Sequence, residues 1–179
     1  MNNPELQRAW QIIENTGTHL FLTGKAGTGK TTFLRNLKKE SPKRTVIVAP
    51  TGIAAINAGG VTIHSFFQLP FAPFIPDTTF NTEQKHFRFS KEKINIIRSM
   101  DLLIIDDLGT EFATMFTASE LFRIVNDRKL RKRPVVISTN LDYRALMEQY
   151  SDRVMSRLIG EYTTLKFFGD DIRMKKKYR

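Results

Sequence analysis

The segment Gly24-Lys25-Ala26-Gly27-Thr28-Gly29-Lys30-Thr31 constrains this chain more than any other. It fits the pattern G-x-x-x-x-G-K-[ST], a loop whose glycines let backbone N–H groups curl inward around phosphates. In such a loop Lys30 reaches the β- and γ-phosphates and Thr31 offers its hydroxyl to magnesium. The flanking sequence agrees. His19-Leu20-Phe21-Leu22-Thr23 reads as a short buried strand, and Phe33, Leu34 and Leu37 recur at helical spacing just after the loop. The helix that begins there adds the positive end of its dipole. ATP and Mg2+ are the expected cofactors. The expected nucleotide contacts are Gly24, Lys25, Ala26, Gly27, Thr28, Gly29, Lys30, Thr31 and Thr32.

The rest of the chain supplies the frame that this loop needs. With 179 residues it has the length of one domain with a real core. Asn3-Pro4 reads as a helix start, and Leu6, Ala9, Trp10 and Ile13 keep a helical period, giving an N-terminal helix over residues 1–17. Apolar strands are expected at Thr45–Ala49, Leu102–Asp106, Pro134–Ser138 and Thr163–Phe168, with a turn and short helix from Pro50 to Gly60. Ser90 is a candidate cap for a helix carrying Ile94 and Ile97. Thr117-Ala118-Ser119-Glu120 reads as a capping box for a helix with Leu121, Ile124 and Val125 inside. Helical segments follow from Tyr143 to Leu158. Residues 66–89 hold Pro70, Pro73 and Pro76 among seven phenylalanines and read as an insertion, whose rings either stack on bases or, more simply, pack a small satellite core. Strands alternating with helices imply an α/β fold: a three-layer P-loop NTPase of the AAA+ or RecA-like kind, with a parallel sheet of about five strands, over residues 1–179.

A second set of polar residues is expected at the C-terminal ends of the strands, the edge where ligands sit in such sheets. Asp106 ends an apolar strand and is the expected magnesium partner of Thr31. Asp107 follows it, in the place of a carboxylate that polarises the attacking water, or of a simple loop cap; Glu111 is the alternative base. Asn140 ends the fourth strand, where an amide is placed to orient the water, to cap the next helix, or to do both. Arg153 and Arg157 share a helix face at their spacing, and Arg173 comes near the C-terminus. An arginine at a γ-phosphate stabilises transition-state charge, whereas most arginines make surface ion pairs. The expected catalytic set is Lys30, Asp107, Asn140, Arg157 and Arg173.

Composition bounds the partners. The chain has no cysteine, which excludes disulfides and thiolate zinc sites. Its longest apolar runs are far too short to span a bilayer, and the N-terminus lacks a secretory pattern, so a cytoplasmic location is expected. The net charge of +10 is uneven: residues 123–179 carry 15 basic and 7 acidic side chains. That +8 excess suits a polyanion such as nucleic acid, or a solvated lysine-rich surface.

Two resemblances sharpen these expectations. Phe21 to Thr32 (FLTGKAGTGKTT) and Ala49 to Phe67 (APTGIAAINAGGVTIHSFF) resemble the first motor domain of the Pif-type DNA helicases, RecD-like members of superfamily 1. That resemblance covers residues from about Asn3 to Ile105. It implies that Thr51, His64 and Phe66 lie along a single-stranded DNA path. Leu103 to Glu111 (LIIDDLGTE), Ile137 to Asn140 (ISTN), Ser151 to Arg157 (SDRVMSR) and Phe168 to Arg173 (FGDDIR) are instead similar to the AAA+ helicase loaders of the DnaC, DnaI and IstB-like family. It implies that Asn140 is sensor 1, Arg157 an arginine finger acting between protomers of a homo-oligomer, and Arg173 sensor 2. It also implies a replicative helicase as partner. The two resemblances meet at residues 101–106, so the chain reads as a mosaic. Neither a second motor domain nor a helicase-gripping N-terminal domain is expected, which leaves the shared ATPase core. The expected function is an ATPase of DNA replication or repair that couples ATP to single-stranded DNA or to a helicase partner. The alternatives are a nucleotide-dependent switch with little hydrolysis and the first motor domain of a helicase.

Overall fold

The computed structural model describes residues 4–67, 96, 99–110, 115–150 and 152–169. They run α1 (Pro4–Asn15), β1 (Leu20–Thr23), α2 (Lys30–Glu40), β2 (Thr45–Ala49), α3 (Gly52–Ala58), β3 (Val61–Thr62) and α4 (Ile63–Phe67), followed by β4 (Leu102–Ile105), α5 (Met115–Leu130), β5 (Val135–Ser138), α6 (Tyr143–Gln149), α7 (Asp152–Glu161) and β6 (Thr163–Lys166). The helix expected after Ser90, Arg173, Glu111 and most of the aromatic insertion lie outside the described residues.

The six strands form one sheet in the order β3-β2-β4-β5-β1-β6, and every pair is parallel. The sheet therefore has one strand more than the five expected. The addition is β3, two residues that pair with Val48 and Ala49 at the edge. A strand that short leaves no alternation to read.

Period-two alternation divides the core into two layers. Leu20, Leu22, Leu102, Ile104 and Val136 face one side, where Ala9 and Ile13 of α1, Phe33, Leu34 and Leu37 of α2 and Ala58 of α3 cover them. Phe21, Leu103, Ile105, Val135 and Ile137 face the other, under Phe67 of α4, Leu121, Ile124 and Val125 of α5, Leu146 of α6 and Met155 and Leu158 of α7. Helices on both faces explain why β4 is apolar at every position and β5 at all but its last, Ser138, each residue of β4 being completely buried.

One local detail departs from expectation. Helix α5 begins at Met115, so Thr117 lies inside it and cannot be its N-cap. The helical segments expected from Tyr143 to Leu158 are α6 and α7, each with its own start.

At the end of the sheet away from the loop, Arg128 is fully buried. Its guanidinium donates to Met100 O, Asp101 O and Pro134 O at 3.0–3.4 Å, tying α5 to the starts of β4 and β5. Burial lowers its pKa to about 10, which still leaves it charged at neutral pH.

Candidate nucleotide site and the family it belongs to

The loop between β1 and α2 has the backbone that its glycines permit. Gly24, Gly27 and Gly29 stand at φ 145, 81 and 92, conformations that side chains resist. Gly24 is restricted by space as well. A Cβ there would meet Phe167 O at 2.4 Å, because β6 runs beside β1 and Phe167 N–H donates to Thr23 O. Lys30 is buried although it is charged. Its Nζ donates to Gly24 O at 2.6 Å and to Lys25 O at 3.0 Å, while Thr28 Oγ1 donates to Lys25 O at 3.0 Å. The loop thus closes on its own lysine, and phosphate oxygens are better acceptors for that ammonium than these carbonyls. Lys25, Ala26 and Thr32 are exposed, and Gly27 and Thr31 half-buried.

The acidic residues sit two strands away at the same edge. Register pairs Leu22 with Ser138 and Ile105 with Ile137, which sets Asp106 level with Ser138 and with the last residues of β1. Two strand spacings separate β1 from β4, roughly 10 Å. Asp106 is buried; its Oδ1 accepts from the Ser138 hydroxyl and its Oδ2 has no hydrogen-bond partner among the described residues. A buried carboxylate oxygen without a donor is costly unless a cation meets it. Carboxylate and hydroxyl oxygens are the donors that magnesium takes, so Asp106 with Thr31 fits that ion.

Asp107 adopts φ 59, in the left-handed region, where Asp and Asn are the tolerated non-glycine types. It is half-buried, and its Oδ1 accepts from Asn140 Nδ2. Around this pair the ends of β4 and β5 are laced together. Asp107 N–H donates to Ser138 Oγ at 3.2 Å, Leu108 N–H to Ser138 O at 2.8 Å, and Thr139 Oγ1 to Leu108 O at 2.7 Å. The capping alternative for Asn140 is settled by Asp142, which is the N-cap of α6 and accepts from Ala145 N–H at 2.9 Å. Ser138 and Thr139 were not singled out from the sequence. The available signal was two hydroxyls closing an otherwise apolar strand.

A groove of about 590 Å³ opens beside the loop, lined by Leu6, Gln7, Trp10, Gly29, Thr32 and Phe33 among others. It joins the N-terminal helix to the phosphate loop, and Trp10 meets Phe33 edge-on at 6.2 Å.

Thr51 is the N-cap of α3, its side chain accepting from Ala54 N–H at 3.2 Å. His64 is half-buried on α4. Phe66 packs edge-on against Phe67, with ring centroids 5.0 Å apart. All three follow the C-terminal ends of β2 and β3, the same edge as the loop. Arg153 and Arg157 lie on α7.

The family pattern of the PIF1-like helicases matches residues 6–133. The chain belongs to the PIF1-like helicase family. Among its relatives is the ATP-dependent DNA helicase Pif1 of Bdellovibrio bacteriovorus, 36% identical over 108 residues, which are 60% of this chain and 24% of that protein. The chain thus spans about a quarter of that relative. Among solved structures, the Pif1 helicase from Bacteroides in complex with ADP-AlF3 and single-stranded DNA is 27% identical, with a TM-score of 0.63 over 94% of this chain and 42% of that one. AMPPCP-bound DnaA from Aquifex aeolicus shares the fold, at 23% identity and a TM-score of 0.62 over 96% of this chain and 49% of that one. The PIF1-like match includes the loop, Thr51, His64, Phe66, Asp106 and Asp107, and stops before β5.

Proposed function

We propose that this chain is the nucleotide-binding motor domain of an ATP-driven DNA helicase, a P-loop ATPase that couples ATP to single-stranded DNA. One observation carries the reading. A loop closed on a buried lysine and a buried aspartate with an unpartnered oxygen share one edge of a parallel sheet in a PIF1-like chain. The nucleotide phosphates displace the carbonyls from Lys30 and take the N–H groups of Gly27 to Thr32. Thr31 and Asp106 would hold magnesium, whose charge would offset that of the phosphates. The base enters the groove between Gln7, Trp10 and Phe33. Asp107, oriented by Asn140, accepts the proton of the attacking water. Single-stranded DNA runs past Thr51, His64 and Phe66, a reading supported by a Pif1 relative from Bacteroides that was crystallised in complex with single-stranded DNA.

The finer reading concerns the C-terminal part. β5, Asn140 and α7 lie beyond the PIF1-like match, and their resemblance to AAA+ loaders makes Asn140 sensor 1, Arg157 a finger from a neighbouring protomer and Arg173 sensor 2. The fold shared with DnaA supports the architecture of that half. A replicative helicase as partner and a cytoplasmic location belong to the same proposal. Among the described residues no helix is long and apolar enough to cross a membrane.

A second reading, a switch with little hydrolysis, is favoured by Asp107 itself. Its side chain is one methylene shorter than glutamate, and Asn140 already engages it. Slow turnover satisfies both readings; none at all selects the switch. The first test is calorimetric titration of ATP with Mg2+ into the chain and into Lys30→Ala. Binding by the parent and its loss in a folded Lys30→Ala supports the assignment, and equal affinity in both overturns it.

A further inference from the structure

The PIF1-like match ends at residue 133, and β5 begins at Val135. The strand between the loop strand β1 and the acidic strand β4 therefore comes from outside the matched segment. Its last residue, Ser138, is 1% exposed. The hydroxyl of Ser138 joins the two acidic residues. It donates to Asp106 Oδ1 and accepts from Asp107 N–H at 3.2 Å. A serine hydroxyl has one proton to give, so the gift to Oδ1 distinguishes the two oxygens of Asp106. Oδ2 is then the buried oxygen left for another ligand. Without that donor nothing among the described contacts of the carboxylate holds it against rotation about its terminal bond, a torsion that side chains turn easily. The accepted bond fixes the backbone entering Asp107, whose left-handed turn carries its carboxylate to Asn140.

We propose that Ser138 is a positioning residue for the magnesium site, its hydroxyl setting Asp106 so that Oδ2 meets the ion and anchoring the turn at Asp107. The inference rests on the reading of Asp106 as the carboxylate of the metal site. Partners one shell removed from a metal orient its ligands, and their loss weakens metal affinity by about 10- to 100-fold. The role differs from that of a merely structural buried serine, because it predicts a defect specific to magnesium.

The experiment measures affinity for a fluorescent, non-hydrolysable ATP analogue, with Mg2+ and with EDTA, for the parent, Ser138→Ala and Ser138→Thr. The readout is the ratio of the two affinities. Unfolded molecules reduce the binding amplitude and leave the ratio untouched, so a destabilised variant stays informative. The ratio should fall about tenfold in Ser138→Ala, with a matching rise in the Mg2+ concentration needed for half its effect, and return in Ser138→Thr, which keeps the hydroxyl. A Ser138→Ala ratio equal to the parent's overturns the proposal. Equal loss in the Ala and Thr variants overturns it too, because the hydroxyl is then not what matters. A parent that binds the analogue tightly but equally well in EDTA instead contradicts the metal reading beneath it, and is recognised without any variant.

Discussion

Asn140 donates from its side-chain amide to the carboxylate of Asp107, joining the end of β5 to the turn that follows β4. The two residues are 33 positions apart. The bond exists because the sheet order makes β4 and β5 neighbours in matching register. An amide donor holds a carboxylate aimed, which is what a group that polarises water needs.

From this pair follows a prediction about turnover. Asp107→Asn should lower ATP hydrolysis by about 10²-fold or more, the usual worth of a general base, while nucleotide affinity changes little. Asn140→Ala should reduce kcat in the same direction by a smaller factor, since Asp107 remains. Steady-state phosphate release beside calorimetric affinity checks both. Parental turnover in Asp107→Asn would pass the role to Glu111.

Salt should separate a nucleic-acid partner from a merely solvated basic surface. The excess of 15 basic over 7 acidic residues in positions 123–179 acts on phosphates through counterion release. For Z neutralised phosphates on single strands, log K falls with log salt at a slope of about −0.7Z. Fluorescence anisotropy with a labelled oligonucleotide over a range of salt measures the slope. Affinity flat in salt, or no binding at low salt, rejects the partner.

Arg157 on α7 gives a test by complementation. If it reaches the nucleotide of a neighbouring protomer, Arg157→Ala and Lys30→Ala are each inactive, yet their mixture forms some complete sites. Such a finger can be worth about 10³ or more in rate, so recovered activity stands well above background. Specific activity should also rise with protein concentration. No recovery, with activity independent of concentration, assigns Arg157 to the same protomer's site or to the surface.

His19 makes the fold sensitive to acid. Its Nδ1 accepts from Val135 N–H at 3.1 Å, at the start of β5, and its ring lies 5.0 Å from that of Tyr162. Burial first, then the positive charges of Arg128 and Lys129, lower its pKa below the usual 6.5, while Glu161 acts in the opposite sense. The neutral form is therefore favoured in the folded state, and the unfolded chain binds more protons between the two pKa values. Stability from this group is full above about 6.5 and declines as pH falls from there to the folded pKa. Melting temperatures of the parent should drop across that window. His19→Gln should flatten the profile there; an unchanged profile removes His19 as the cause.

How much of this was legible in the sequence depends on how local each feature is. The loop between β1 and α2 was legible, since Gly24, Gly27 and Gly29 stand in the positive-φ backbone that the motif requires and Lys30 closes back on it. Strands β4 and β5 were legible because burial on both faces leaves unbroken apolar runs. The lacing of Asp106, Asp107, Ser138 and Asn140 was not. It depends on which strands are neighbours, and β1 lies beside β5 and β6 rather than beside β2. Thr117 misled because a capping box is a local preference, and α5 starts upstream of it. Trp10 kept a helical period with Leu6, Ala9 and Ile13, but period alone does not show that it lines the groove beside Gly29.

The most direct measurement is ATP turnover by this chain with Mg2+, with and without single-stranded DNA, beside Lys30→Ala. The account predicts slow turnover that requires Mg2+, rises when the DNA is added and disappears in Lys30→Ala. Turnover that persists in Lys30→Ala, or nucleotide binding that responds to neither Mg2+ nor DNA, would contradict it.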